Sequence, residues 1–106
     1  MTGRVILRAQ VPGDLEEIID YLAARNPPAA NRFAQAVHET IEDLARMPGM
    51  GSPKWFREKR LAGIRSWLVR GFPNHLILYR PVDVGIEVYA VVHGARRLGT
   101  ILRGRV

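Results

Sequence analysis

The feature that most constrains the fold of this chain is a change of hydrophobic period at Pro48 and Gly49. Before this point apolar residues recur every three or four positions, as on a buried helix face. After it they occur in short runs rich in β-branched and aromatic residues, bounded by turn residues. A block of helices followed by a block of strands predicts an α+β domain. The length of 106 residues predicts one domain covering residues 1–106.

Two helices are predicted in the first half. Asp14 is predicted to cap the first helix, in the stretch "DLEEIIDYLAARN", where apolar residues fall at helical spacing. Asn26, which precedes two prolines, is predicted to cap the second helix. The apolar stripe of the second helix comprises Ala30, Phe33, Ala34, Val37, Ile41 and Leu44. Because only a few residues join the helices, we expect an antiparallel hairpin.

Four strands are predicted. Residues 4–9 form a short opening strand, and residues 61–69, 74–80 and 85–92 form a three-stranded antiparallel meander. The predicted order is therefore βααβββ, an antiparallel sheet with both helices of the N-terminal hairpin on one face. The other face is left bare or used, and the tail after residue 93 forms one more helical turn or lies along that face.

Charge is divided unevenly between the two halves. Residues 1–53 hold five basic and seven acidic side chains, whereas residues 54–106 hold eleven basic and three acidic ones. A positive field of this kind attracts nucleic acid, an anionic membrane or an acidic protein without naming one. Because the chain has no cysteine, disulfides and thiol catalysis are excluded. No signal-peptide or membrane-spanning run is found, which predicts a cytoplasmic protein with no membrane partner.

Standard catalytic and cofactor motifs are missing from the sequence. His38, His75 and His93 lie on three different predicted elements without ligand spacing, so no metal site is predicted. Neither the serines nor the threonines stand in a nucleophile motif. The glycines of "GMGSPK" lack the spacing of a phosphate-binding loop and predict a flexible loop. No cofactor is expected.

Basic side chains are the remaining candidates for function. Alternation along a strand predicts that Arg65, Trp67 and Val69 share one face, on which Arg65 and Trp67 would stack a base or a partner side chain. The bland alternative is that the arginines form a solvated face and that Trp67 is packing.

Three stretches of the sequence, in their order, resemble a known family. They are the helical hairpin through "PGMG", the strand pair "LAGIRSWLVRGFPNHLILYR" and the strand end "IEVYAVVHGARRL". Together they cover about residues 4–98 and resemble the RelE/ParE superfamily of bacterial toxin–antitoxin systems, particularly ParE. The resemblance implies a toxin in a hetero-oligomeric complex with a cognate, ParD-like antitoxin whose C-terminal segment wraps it. ParE-like members poison DNA gyrase, whereas RelE-like members cleave mRNA on the ribosome.

The residues help to choose between these branches. RelE-like nucleases carry arginines on the central strands and a tyrosine near the end, but here His75 takes the central position and Leu102 falls where that tyrosine is expected. The leading hypothesis is therefore a gyrase poison that acts as a protein inhibitor, with no catalytic residue. The alternative is an mRNA interferase using His93, Arg96 and His75. A third possibility is a non-toxic basic binding module.

Two sets of binding residues are predicted on this basis. The target-binding set comprises Arg65, Trp67, Arg80, Arg96, Arg97, Arg103 and Arg105. The antitoxin-binding set comprises Leu15, Ile18, Leu22 and Phe33, which otherwise belong to the core.

Overall fold

The computed structural model describes residues 3–105 as three helices and a five-stranded sheet. The elements are β1 (Arg4–Leu7), α1 (Val11–Arg25), α2 (Pro27–Arg46), β2 (Ser52–Pro53), β3 (Arg65–Val69), β4 (Phe72–Val82), β5 (Gly85–His93) and α3 (Leu98–Arg103). Short 3-10 turns lie at Pro48–Met50 and Lys59–Leu61. Met1, Thr2 and Val106, which the predicted domain includes, lie outside the described residues.

The α+β class and the order of the main elements are confirmed. The sheet order is β1-β5-β4-β3-β2, and β3, β4 and β5 form the predicted antiparallel meander. β1 pairs with β5 in parallel, so the sheet is mixed. The segment predicted as a flexible loop contains β2, which pairs with β3 at the sheet edge. A two-residue strand is too short to show the alternation by which strands are recognised in a sequence.

The start of α1 differs from the prediction. The helix begins at Val11, and Pro12 lies in its first turn, where a missing backbone N–H costs no helical hydrogen bond. Gln10 occupies the N-cap position without a side-chain cap. Asp14 as N-cap was therefore wrong, because its carboxylate is engaged by Arg105 and the backbone N–H of Val91.

Helix α2 begins as predicted. The side chain of Asn26 accepts a hydrogen bond from the backbone N–H of Ala29 at 3.2 Å. Most of the predicted stripe is buried, but Ala34 lies at its edge and is exposed. Thr40 lies within the buried stripe; its hydroxyl donates to the carbonyl of Ala36 and accepts from the backbone N–H of Arg70. That second bond ties α2 to the turn between β3 and β4.

The sheet carries a core on each face, because successive residues of a strand point to opposite sides. On the hairpin face, which α1 and α2 cover, Tyr79 packs with Phe33 and Leu44. On the tail face, Leu78 packs with Leu61 and Leu102. The tail therefore forms a short helix and lies along the second face, which residues 54–64 also cover.

Candidate functional site

A groove of about 500 Å³ runs between α1 and the neighbouring ends of β4 and β5. Its helical wall presents Ile18, Tyr21 and Leu22, and its strand wall presents Phe72, His75 and His93. Asp14, Glu17 and Arg96 also line it. The groove therefore has an apolar interior with charges of both signs in its lining.

The helical wall follows from the spacing of α1. Ile18, Tyr21 and Leu22 are three and four residues apart, so one face of the helix carries all of them. Ile18 and Leu22 are half-buried, while Tyr21 is 58% exposed. The centroid of the Tyr21 ring lies 3.7 Å from the guanidinium carbon of Arg25. Three apolar side chains of one helix thus face the open groove.

The predicted antitoxin-binding residues separate into two groups. Leu15, Ile18 and Leu22 are half-buried and pack on the hairpin-face core, and the last two reach the groove. Phe33 is fully buried, with its ring centroid 5.0 Å from that of Phe72 and 5.1 Å from that of His75 in edge-on geometry. Phe33 is a core residue, and it packs behind Phe72 and His75 of the strand wall.

Two histidines face each other across β4 and β5. His75 and His93 are register partners whose ring centroids lie 5.4 Å apart. Burial, and secondarily the neighbouring His93, lower the pKa of His75 below its usual range. The Nδ1 atom of His93 accepts a hydrogen bond from the backbone N–H of Ala95 at 3.1 Å. A histidine kept neutral at pH 7 is chemically able to accept a proton.

The strand members of the predicted target-binding set lie on different faces. Arg65 and Trp67 stand opposite Tyr79 and Ile77, which places them on the hairpin face, as the alternation predicted for one strand. Arg65 donates to the carbonyl of Gly51 at 2.6 Å. Arg80 follows Tyr79 and lies on the tail face, so it does not share a surface with Arg65.

Arg80 is largely occupied by contacts within the molecule. It donates to the carbonyl of Arg60 at 2.8 Å, and its guanidinium lies 5.2 Å from the centroid of the Tyr89 ring. Its Nε atom is buried without a hydrogen-bond partner among the described residues. The Arg80 side chain therefore joins the Arg60 backbone to the Tyr89 ring on the tail face.

Among the tail arginines, only Arg96 lines the groove, and Arg97 beside it is exposed. Arg103 pairs with Glu58 at 2.8 Å. Arg105 makes two hydrogen bonds to the carboxylate of Asp14, at 2.5 and 2.7 Å. The seven predicted residues therefore do not form one surface.

Sequence reasoning missed part of the groove. Tyr21 lies three residues after Ile18, a signal available from helical spacing. Phe72 lies outside the predicted strand of residues 74–80, but β4 begins there. Asp14 was missed because its partner Arg105 is 91 residues away.

Within residues 3–105, no three His, Cys, Asp or Glu side chains are grouped closely enough to hold a metal ion. None of the helices in that range has the length and apolar character needed to cross a lipid bilayer.

Comparison with known families identifies the chain. Residues 5–98 match the family described as ParE toxin of type II toxin-antitoxin system, parDE. The chain belongs to the ParE toxin family. The match covers the hairpin, the meander and the strand end that carried the resemblance, and it confirms the ParE branch as the family.

Among solved structures, this protein resembles a chain from the chromosomal ParDE TA system of P. aeruginosa. The TM-score is 0.68, with 15% sequence identity, over 87% of this chain and 96% of that one. At this identity the likeness shows that the two share a fold. No curated protein is similar enough in sequence to count as a relative.

In this ParE fold, the groove is lined by elements from both ends of the matched region, residues 5–98. α1 contributes from the beginning of the matched region, and His93 and Arg96 contribute from its end. The "HGAR" strand end singled out in the sequence thus reaches the same cavity as the first helix.

Proposed function

We propose that this ParE toxin acts in the bacterial cytoplasm by binding DNA gyrase and trapping its complex with cleaved DNA. The observation that carries the proposal is the family match over residues 5–98. The basic second half supports it, because a positive surface favours association with a complex that contains DNA. In this role the toxin is a protein inhibitor rather than an enzyme.

The gyrase proposal is tested with the purified chain in a supercoiling assay. We expect loss of supercoiling and accumulation of cleaved plasmid, because a trapped cleavage complex releases broken DNA on denaturation. Gyrase with the heat-denatured chain provides the control. Supercoiling that is unchanged at saturating toxin would contradict the proposal.

We further propose that a ParD-like antitoxin neutralises the toxin by laying an amphipathic helix in the groove. Ile18 and Leu22 supply partly exposed apolar surface there, and Glu17 and Arg96 supply charges able to orient a partner. The result would be a hetero-oligomeric complex of toxin and antitoxin.

A charged substitution in the groove tests this proposed antitoxin-binding site. We expect Ile18→Asp to weaken the antitoxin complex by at least about tenfold, because a bound helix would bury the new carboxylate. Ala24→Asp, on an exposed position of the same helix, is the matched control. Calorimetric titration gives both affinities, and equal affinities would place the antitoxin elsewhere.

The alternative function, a ribosome-dependent mRNA interferase, is favoured by one observation. His75 has a lowered pKa, faces His93 at 5.4 Å, and shares the groove with Arg96. In this mechanism a histidine would move a proton, and Arg96 would stabilise charge on the phosphate. His93→Ala would then reduce cleavage of mRNA on translating ribosomes by about 100-fold.

Induction of the chain alone in bacteria separates the two functions. Early arrest of DNA synthesis with DNA-damage signalling supports gyrase as target, whereas early arrest of translation supports mRNA cleavage. Unaffected growth would contradict both and leave a non-toxic binding module.

A further inference from the structure

The segment from Lys54 to Arg60, "KWFREKR", runs beside the tail face and contains a highly exposed tryptophan. Trp55 is 89% exposed, the largest exposure among the exposed large apolar residues of the described chain. Tryptophan is enriched at interfaces, because its large ring offers apolar contact area and its N–H can still donate a hydrogen bond. The groove described above does not include this residue.

The segment is held in place on both sides of Trp55. The backbone N–H of Lys54 donates to the carbonyl of Ile64 at 2.9 Å. Phe56 packs on the tail-face core beside Gly99, where a Cβ would come within 3.5 Å of its ring. Glu58 is paired with Arg103 at 2.8 Å. Because its neighbours are anchored, Trp55 is presented to solvent by the fold.

Positive charge surrounds this tryptophan in sequence. The segment contains four basic residues, and its single acidic residue is already paired. Those basic residues are Lys54, Arg57, Lys59 and Arg60. Within residues 3–105, none of the four forms an ion pair. Three of them, all but Lys54, are exposed.

An exposed aromatic ring, flanked in sequence by cations that form no ion pair within residues 3–105, matches the chemistry of a nucleic-acid strand. The indole face stacks on a base, while guanidinium and ammonium groups neutralise the adjoining phosphates. Stacking requires a free base face, which a closed duplex does not offer. An acidic protein that buries the ring is the competing occupant, and the absence of any oligonucleotide binding would favour it.

We propose that the segment 54–60 is a binding site for an unpaired stretch of nucleic acid, with Trp55 as the stacking platform. Arg57, Lys59 and Arg60 contact the phosphates. The chemistry is common to single-stranded DNA and RNA. The proposal goes beyond the proposed function, since it concerns a surface outside the groove and is measured without gyrase or antitoxin.

Binding is measured by fluorescence anisotropy of labelled oligonucleotides of about 12 nucleotides, a length within the usual site size of single-strand binders. Single-stranded DNA, single-stranded RNA and duplex DNA are titrated with the full chain. We expect either single strand to bind more tightly than the duplex. Equal or tighter binding of the duplex, or no binding of any oligonucleotide, overturns the proposal.

Variants locate the site. Trp55→Ala should weaken single-strand binding about tenfold, while Trp55→Phe retains more of it because a ring remains. Arg57→Glu should weaken binding and flatten its salt dependence between about 50 and about 200 mM salt. Arg32→Glu, at an exposed basic position outside the segment, is the matched control for Arg57→Glu. Circular dichroism confirms that each variant is folded, and an equal loss of binding in Arg32→Glu overturns the proposal.

A direct signal is also available, because the chain has two tryptophans. In a Trp67→Phe variant Trp55 is the only indole, so stacking should quench its fluorescence during the titration. Anisotropy that rises without quenching would place the nucleic acid elsewhere on the basic surface and overturn the proposal.

Discussion

At the scale of single residues, one hydroxyl group holds the turn after α2 against the sheet. The Tyr79 hydroxyl donates to the carbonyl of Pro48 and accepts from the backbone N–H of Gly51, each at 2.8 Å. Burial raises the pKa of Tyr79, so the hydroxyl stays protonated and keeps its donor role at neutral pH. A Cβ on Gly51 would overlap this hydroxyl, which explains a glycine here.

Tyr79→Phe should therefore destabilise the fold without changing its shape. The ring still fills the core, but two backbone groups lose their partner, the buried N–H of Gly51 and the partly buried carbonyl of Pro48, which costs about 1–3 kcal/mol in the free energy of unfolding. Urea unfolding measures the difference. Tyr21→Phe, at an exposed position, should change stability by less than about 0.5 kcal/mol, and similar losses in both variants would contradict the account.

His75 predicts a pH dependence of stability. Its pKa is lowered in the folded chain by burial and by His93, whereas in the unfolded chain it returns to about 6.5. Below that value the unfolded chain binds the proton more readily, so the free energy of unfolding falls as pH is lowered and levels off below the folded-state pKa.

Urea unfolding between about pH 7.5 and about pH 5 measures this loss. The variant His75→Gln should lose less stability over the interval than the natural chain, because the titrating group is gone. His38→Gln, at an exposed position on α2, should leave the His75-dependent part in place. If the natural chain gained stability as the pH was lowered, and His75→Gln abolished that gain, the predicted direction of the pH dependence would be wrong.

At the scale of elements, the C-terminal tail is fastened to the first helix. The Arg105 guanidinium binds the Asp14 carboxylate through two hydrogen bonds and also donates to the carbonyl of Tyr89. Both side chains are largely buried, with 16% and 11% exposure. Arg8 in turn donates to the backbone carbonyl of Arg105. These contacts join α1, β5 and the end of α3.

Removing one partner leaves the other buried and unpaired. Arg105→Ala should lower the free energy of unfolding by about 3 kcal/mol, and Asp14→Asn should act in the same direction. Arg103→Ala is the matched control, because the Arg103 side chain is 51% exposed and its pair with Glu58 should contribute less than about 1 kcal/mol. A double-mutant cycle with no coupling between Asp14 and Arg105 would contradict the proposed fastening.

What could be predicted from the sequence depended on how far each partner lies along the chain. The Asn26 cap was predictable because its acceptor and donor are three residues apart. The strands of the meander were predictable from local period and turn residues. The role of Asp14 and the parallel pairing of β1 with β5 depend on contacts made across the whole chain. The helical wall of the groove was predictable, because the apolar spacing of α1 is local in sequence. The wall formed by His75, His93 and Arg96 was not, because tertiary contacts bring these residues to α1.

At the scale of the whole molecule, one sheet divides two cores that share the same strands. Tyr79 and Val88 serve the hairpin face, whereas Leu78 and Ala90 serve the tail face. Neither core has strands of its own, because β4 and β5 contribute residues to both. Loss of either core should therefore loosen the strands that the other needs.

This sharing predicts a single cooperative unfolding transition. Phe33→Ala and Leu102→Ala each remove a fully buried side chain, one from each core, and should each lower the free energy of unfolding by about 3 kcal/mol. Single-tryptophan forms report the two faces separately: Trp55 lies in the segment over the tail face, and Trp67 lies on the hairpin face. In urea, both probes should give one midpoint, and both substitutions should shift it in both forms. If Leu102→Ala shifted only the transition reported by Trp55, the two faces would unfold independently. The shared strands would then not couple the two cores.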